Sequence, residues 1–160
     1  MNNELMNLYL KIQEEGTDMN NELMNLYLKI QDKRGRWQIG DKFYMQAYGY
    51  GTVVGIPDED RLAVWFDGGW EDELTDSSNE WQEVLWIPPV SSPTNPKRSM
   101  IGMFGDQAIS YLDPYYENGE VYRWGVEISD FSKKRYVKFF GPTLEFAMAK
   151  ALVWWRIERN

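Results

Sequence analysis

The chain has 160 residues, with 17 basic and 25 acidic side chains for a net charge of −8, 25 aromatic residues, and neither cysteine nor histidine. Without cysteine there are no disulfides, thiol nucleophiles or thiolate metal sites, and without histidine there is neither the usual general base nor a Ser-His-Asp triad. No apolar run reaches the roughly 18 residues of a membrane span, and the start, Met1 to Glu4, lacks the basic and apolar regions of a secretory signal. The expectation is a cytoplasmic protein of one domain or two small ones with no membrane partner.

The first element is a repeat: MNNELMNLYLKIQ at 1–13 recurs unchanged at 19–31. Each copy puts Leu5, Leu8, Tyr9 and Ile12, or Leu23, Leu26, Tyr27 and Ile30, on one helical stripe, and Thr17 or Asp18 can cap the second. Identity at exposed positions reads as a recent tandem duplication or an artificial copy of the start, and a helical hairpin used for self-association is the functional reading. Lys33, Arg34 and Arg36 then form a basic turn.

Residues 37–87 read as short strands with turn punctuation. Phe43 to Tyr48 is a strand and Gly49-Tyr50-Gly51 a turn. Thr52 to Ile56 is β-branched, and Pro57 to Asp60 turns. Leu62, Val64 and Phe66 alternate with Ala63 and Trp65. Asp67-Gly68-Gly69 signals a hairpin into Trp70 to Leu74, and Glu83 to Ile87 is the last strand. The stretch GYGTVVGIPDEDRLAVWFDGG resembles the small SH3/Tudor-like barrels found at the C-terminal end of UvrD-type helicases and in CarD-type transcription regulators, which read G-x-G-x-V-V … L-x-V-x-F-D-x-G. The likeness covers about 50 residues. It implies a five-stranded barrel used for docking, often on RNA polymerase; the acidic loops are this chain's own and lie outside that pattern. So small a barrel needs its edge strands covered, by the N-terminal or the C-terminal helix.

PPVSSPTNPKRSM at 88–100 holds four of the seven prolines and reads as a linker. Beyond it, 100–160 is expected to form a ββα unit. Asn118-Gly119 is a hairpin turn, and Tyr122, Trp124, Val126 and Ile128 share one strand face. Ser129 to Lys134 turns, Arg135 to Phe140 is a strand, and Thr143 caps a helix. Ala147, Met148, Ala151, Leu152 and Trp155 form that helix's apolar stripe, opposite Lys150, Arg156 and Arg159. GPTLEFAMAKALVWWR resembles the terminal ββα unit of small phage-encoded proteins of unknown function. The fold class expected is therefore α+β: a duplicated helix, an SH3-like barrel at 37–87 and a C-terminal ββα unit.

Charge is distributed unevenly. Ten acids and one base, Arg61, fall between Asp58 and Glu83, so this stretch carries −9 and the remainder +1. Trp65, Trp70, Trp81 and Trp86 lie in or beside it; alternation turns Trp65 outward and leaves Trp86 and Trp124 for the core. Gly49, Gly51 and Gly55 precede a strand and not a helix, so they are turn glycines and not a phosphate loop. Asp58-Glu59-Asp60 with Glu71-Asp72-Glu73 could bind a hard cation or flank a sugar as a carboxylate pair, with an exposed tryptophan stacking on it, but EF-hand spacing is absent. No cofactor or resident metal is expected. Lys133, Lys134, Arg135, Tyr136 and Lys138 could hold single-stranded nucleic acid.

The reading these features favour is a non-enzymatic, phage-type interaction protein, an acidic inhibitor or modulator of a host nucleic-acid machine: a CRISPR effector, a restriction enzyme or RNA polymerase. Its partner-binding residues are Asp58, Glu59, Asp60, Glu71, Asp72 and Glu73, with Trp65 or Trp70 as anchor, facing a basic protein surface. The alternatives are a Tudor/SH3-like adaptor that touches nucleic acid through the basic hairpin, and a sugar-binding or carboxylate-based hydrolase.

Overall fold

A computed structural model describes residues 20–75, 84–105 and 109–158. The chain is mixed α+β, dominated by two antiparallel sheets, and divides into two compact units, Met1–Pro88 and Pro89–Asn160. The first helix copy (1–13) lies outside the described residues, as do Thr17, Asp18, Asp76, Glu80, Trp81, Glu83 and Arg159.

In the first unit the second repeat copy forms helix α1, Asn21–Leu28. Its cap is Asn20 and not Thr17 or Asp18: the Asn20 carboxamide oxygen accepts from the Glu22 and Leu23 N–H groups at 2.8 and 3.2 Å. Capping by Asn satisfies donors that the helix start would otherwise leave open. Met24, Tyr27 and Leu28 are buried. Five strands follow: β1 (Lys42–Met45), β2 (Gly49–Asp58), β3 (Arg61–Phe66), β4 (Trp70–Thr75) and β5 (Val84–Ile87). Their order is β4-β3-β2-β1-β5, all antiparallel. Among the described residues β4 and β5 are not paired, so the sheet is open.

The first turn of the sheet lies three residues before the expected one. The chain turns at 46–48, where Tyr48 N–H donates to the Met45 carbonyl, and Gly49 to Gly51 belong to β2. Gly51 is needed for space. It faces Phe43 on one side and Phe66 on the other, and a Cβ there would lie 2.5 Å from the end of the Phe43 ring. Phe43 and Phe66 therefore meet edge to face across the glycine, 5.7 Å apart. Leu62, Val64, Phe66 and Leu74 complete this core, each worth roughly 1.5–3 kcal/mol on burial. Trp86 is fully buried, as expected.

The β5 edge is covered from α1. Gln31, just beyond the helix, presents its carboxamide to Trp86 as a strand would: Oε1 accepts the Trp86 N–H at 2.8 Å and Nε2 donates to the Trp86 carbonyl at 2.7 Å.

The second unit has three strands and not two: β6 (Ile109–Glu117), β7 (Glu120–Asp130) and β8 (Arg135–Gly141), in that order. A one-turn helix α2 (Met100–Met103) precedes them, tied to the proline-rich segment through Met100 N–H to the Pro89 carbonyl. Asn118 and Gly119 both adopt positive φ, 53° and 83°, the geometry of a two-residue hairpin turn. Helix α3 (Leu144–Val153) starts on Thr143, whose hydroxyl accepts the Phe146 N–H. It buries Ala147, Met148, Ala151 and Leu152, and also Phe146, Ala149 and Val153, so its buried face is wider than the expected stripe. Val126 and Ile128 are fully buried. Trp124 is only half-buried and Tyr122 is exposed, which corrects the expectation of a core position for Trp124.

Candidate binding surface on the β2–β4 edge

Strand pairing decides which acids meet. On β3, Leu62, Val64 and Phe66 point into the core, so Arg61, Ala63 and Trp65 point out. Their partners on β4 are Thr75, Glu73 and Glu71, and directly paired residues share a face. Trp65 continues to Thr52 on β2 and Lys42 on β1, so one row across the outer face reads Glu71, Trp65, Thr52, Lys42. Lys42 donates to the Thr52 hydroxyl at 2.6 Å. Trp65 keeps 41% of its surface exposed, as its alternation predicted.

Arg61, the single base of the acidic window, joins its two clusters. It contacts Asp58 at 2.7 Å and Glu73 at 2.9 Å. The hydrogen bond from Arg61, followed by that with the Asp60 side chain, holds the Asp58 carboxyl down at about 2. Asp60 is pushed the other way, first by its side-chain hydrogen bond with Asp58 and then by the charge of that carboxylate. Arg61 is itself held more firmly protonated by Asp58 and Glu73.

The remaining acids differ in what they do. The Asp72 carboxylate accepts the Glu73 N–H at 2.8 Å, so it caps a backbone donor of β4, the strand that pairs only with β3 among the described residues. Blocking an edge in this way is a structural task. Glu71 makes no hydrogen bond or ion pair among the described residues, and Glu59 and Asp60 sit exposed in the β2–β3 turn.

The two expected anchors separate. Trp70 pairs with Phe66 and so lies on the face opposite Trp65. Its ring stacks on Phe66 at 4.3 Å and meets Tyr48 edge-on at 5.1 Å, closing one end of the core. Trp65 has no such ring contact among the described residues. Beside the turn, an open groove of about 680 Å³ runs between residues 34–37 and the hairpin, lined among others by Arg34, Arg36, Trp37, Ile56, Asp58 and Glu59. The Arg34 guanidinium lies 4.3 Å over the Trp37 ring. The basic turn at 33–36 gave no sequence signal of this proximity, because the approach spans more than twenty residues of chain.

The basic hairpin does not form one cationic track. Lys133 and Lys134 are in the β7–β8 turn. Arg135 pairs with the buried Asp130 at 3.2 Å, a carboxyl held low first by the Ser132 hydroxyl and then by Arg135. Lys138 points to the other face, bonded to the Tyr115 hydroxyl and 3.6 Å from Asp113. Tyr136 is exposed.

Among the described residues no three carboxylates converge as a metal site, and no helix is long and apolar enough to cross a membrane. The chain matches no family model, no curated protein and no solved structure.

Proposed function

We propose that the first unit is a non-enzymatic binding module whose β2–β4 surface docks on the basic surface of a protein that handles nucleic acid, in the manner of a phage-type inhibitor or modulator of a host defence or transcription machine. One observation carries this reading: Trp65, 41% exposed, sits opposite Glu71, which has no ion pair among the described residues, and on the same outer β face as Glu73. Acids that serve solubility alone need no exposed tryptophan among them, whereas an aromatic anchor ringed by charge is a common form of binding hot spot. The carboxylates steer and orient, and the tryptophan supplies buried area on contact.

The finer fold we infer is an SH3-like barrel. Supporting it are the four-strand meander with the fifth strand returned beside the first and the ten-residue β2 with two register shifts against β3, which bend a sheet toward closure.

A carboxylate hydrolase fits less well. It needs one carboxyl protonated near neutral pH across a cleft from a second, ionised one; between the two clusters Asp58 and Glu73 are bridged by Arg61 with Asp58 held at about 2, and Asp60, raised by Asp58, sits exposed in the β2–β3 turn. Nucleic-acid binding through the basic hairpin is weakened by the internal pairing of Arg135 and Lys138.

The test is affinity capture from nuclease-treated host lysate with the wild type and with Glu71→Lys/Glu73→Lys. The same partner should be retained by the first and lost by the second, with matching thermal stability. Equal capture by both refutes the electrostatic reading.

A further inference from the structure

We propose that residues 1–13 are a second ligand for the site that residues 20–31 occupy on β5, so that each chain holds one receptor contested by two copies of one sequence. The docked copy shows what the site reads. Asn20 caps the helix; Met24, Tyr27, Leu28 and Ile30 are buried; and Gln31 clamps both backbone groups of Trp86. All of these residues lie inside the repeat. Their counterparts Asn2, Met6, Tyr9, Leu10, Ile12 and Gln13 stand at the same spacing in the first copy. An isolated eight-residue helix is marginal in water, so the site, more than the helix itself, holds α1 in place. The site has no means of telling the copies apart.

Only the tether differs. Five residues, 32–36, join Gln31 to the buried Trp37, whereas 23 residues, 14–36, would join Gln13 to it. Closing the longer loop is costlier by the three-halves power of the length ratio, which favours the second copy by about tenfold. The first copy therefore takes the site in about one molecule in eleven on this loop-closure scaling, and takes it almost always when the second is disabled.

The experiment uses three full-length variants: Met24→Asp/Leu28→Asp, Met6→Asp/Leu10→Asp, and all four substitutions together. The readout is hydrogen exchange at the Trp86 amide, whose acceptor is Gln31. The first variant should lose about tenfold in protection, the tether factor. The second should change little. The four-fold variant should lose on the order of 100-fold or more, since each truncated core contact is of the size that large-to-small substitutions remove. Equal loss in the first and the four-fold variant, by unfolding or otherwise, overturns the proposal, and so does equal tolerance. Leu28→Ala with and without Leu10→Ala repeats the comparison at smaller amplitude should aspartate unfold the unit.

Discussion

Gly51→Ala is a change whose sign depends on packing alone. The Gly51 backbone is not in the left-handed region, so alanine there would ordinarily stabilise by about 0.4–1 kcal/mol through the unfolded state. The structure predicts the reverse. The added methyl would meet three Phe43 ring carbons at 2.5, 2.9 and 3.1 Å. The ring has no room to withdraw: it is fully buried, with Trp37 edge-on at 6.3 Å and Phe66 at 5.7 Å. Overpacking of this kind costs about 1–3 kcal/mol, and for a unit of this size each kcal/mol lowers the melting temperature by roughly 4–8 °C. The assay is thermal and denaturant unfolding of wild type, Gly51→Ala, Phe43→Leu and the double variant. Leucine removes the ring carbons that clash, so the alanine should cost at least about 1 kcal/mol less on the leucine background, a coupling typical of residues in contact. An alanine variant as stable as the wild type, or purely additive effects, would refute the packed row Phe66, Gly51, Phe43.

Two further predictions concern the binding surface. In Arg61→Gln the Asp58 carboxyl should titrate nearer its ordinary value of 3.8 than the value of about 2 it has beside Arg61, followed by NMR. Because the folded-state value is depressed, whatever the pair contributes is present above pH 3.8 and fades as pH falls toward 2, so wild type and variant should converge in acid; an unmoved midpoint contradicts the bridge. Trp65→Ala should change stability by no more than about 0.5 kcal/mol, as exposed substitutions do, while Leu62→Ala, fully buried one turn of the pleat away, should cost about 2–5 kcal/mol. Denaturant unfolding distinguishes them, and partner capture should fail for Trp65→Ala alone.

Local signals were legible in the sequence and distant ones were not. Asn118-Gly119, Thr143 and the outward turn of Trp65 each follow from a few neighbouring residues, and all three stand as read. The glycines at 49 and 51 carry the same letter for different reasons. Gly49 needs its positive φ of 83° and Gly51 needs space for a ring eight residues earlier, which no local rule separates. The Gln31 clamp reaches across 55 residues, and Asp72 turns out to cap its own strand; neither contact has a sequence pattern. Arg61 stood out as the one base among ten acids, but only the β3–β4 register shows it between Asp58 and Glu73. The strand before the Asn118-Gly119 turn, Ile109 to Glu117, has no pattern that sets its bounds, because Asp113 and Pro114 in its middle break the apolar alternation that marks a strand.

The most direct test of the acidic surface is zero-length carbodiimide coupling in nuclease-treated lysate, which joins carboxylates only to lysines in contact. Cross-links from Glu71 and Glu73 to lysines of one nucleic-acid-handling protein, lost in Trp65→Ala, are the predicted result. Coupling confined to the second unit, or unchanged by Trp65→Ala, would contradict it.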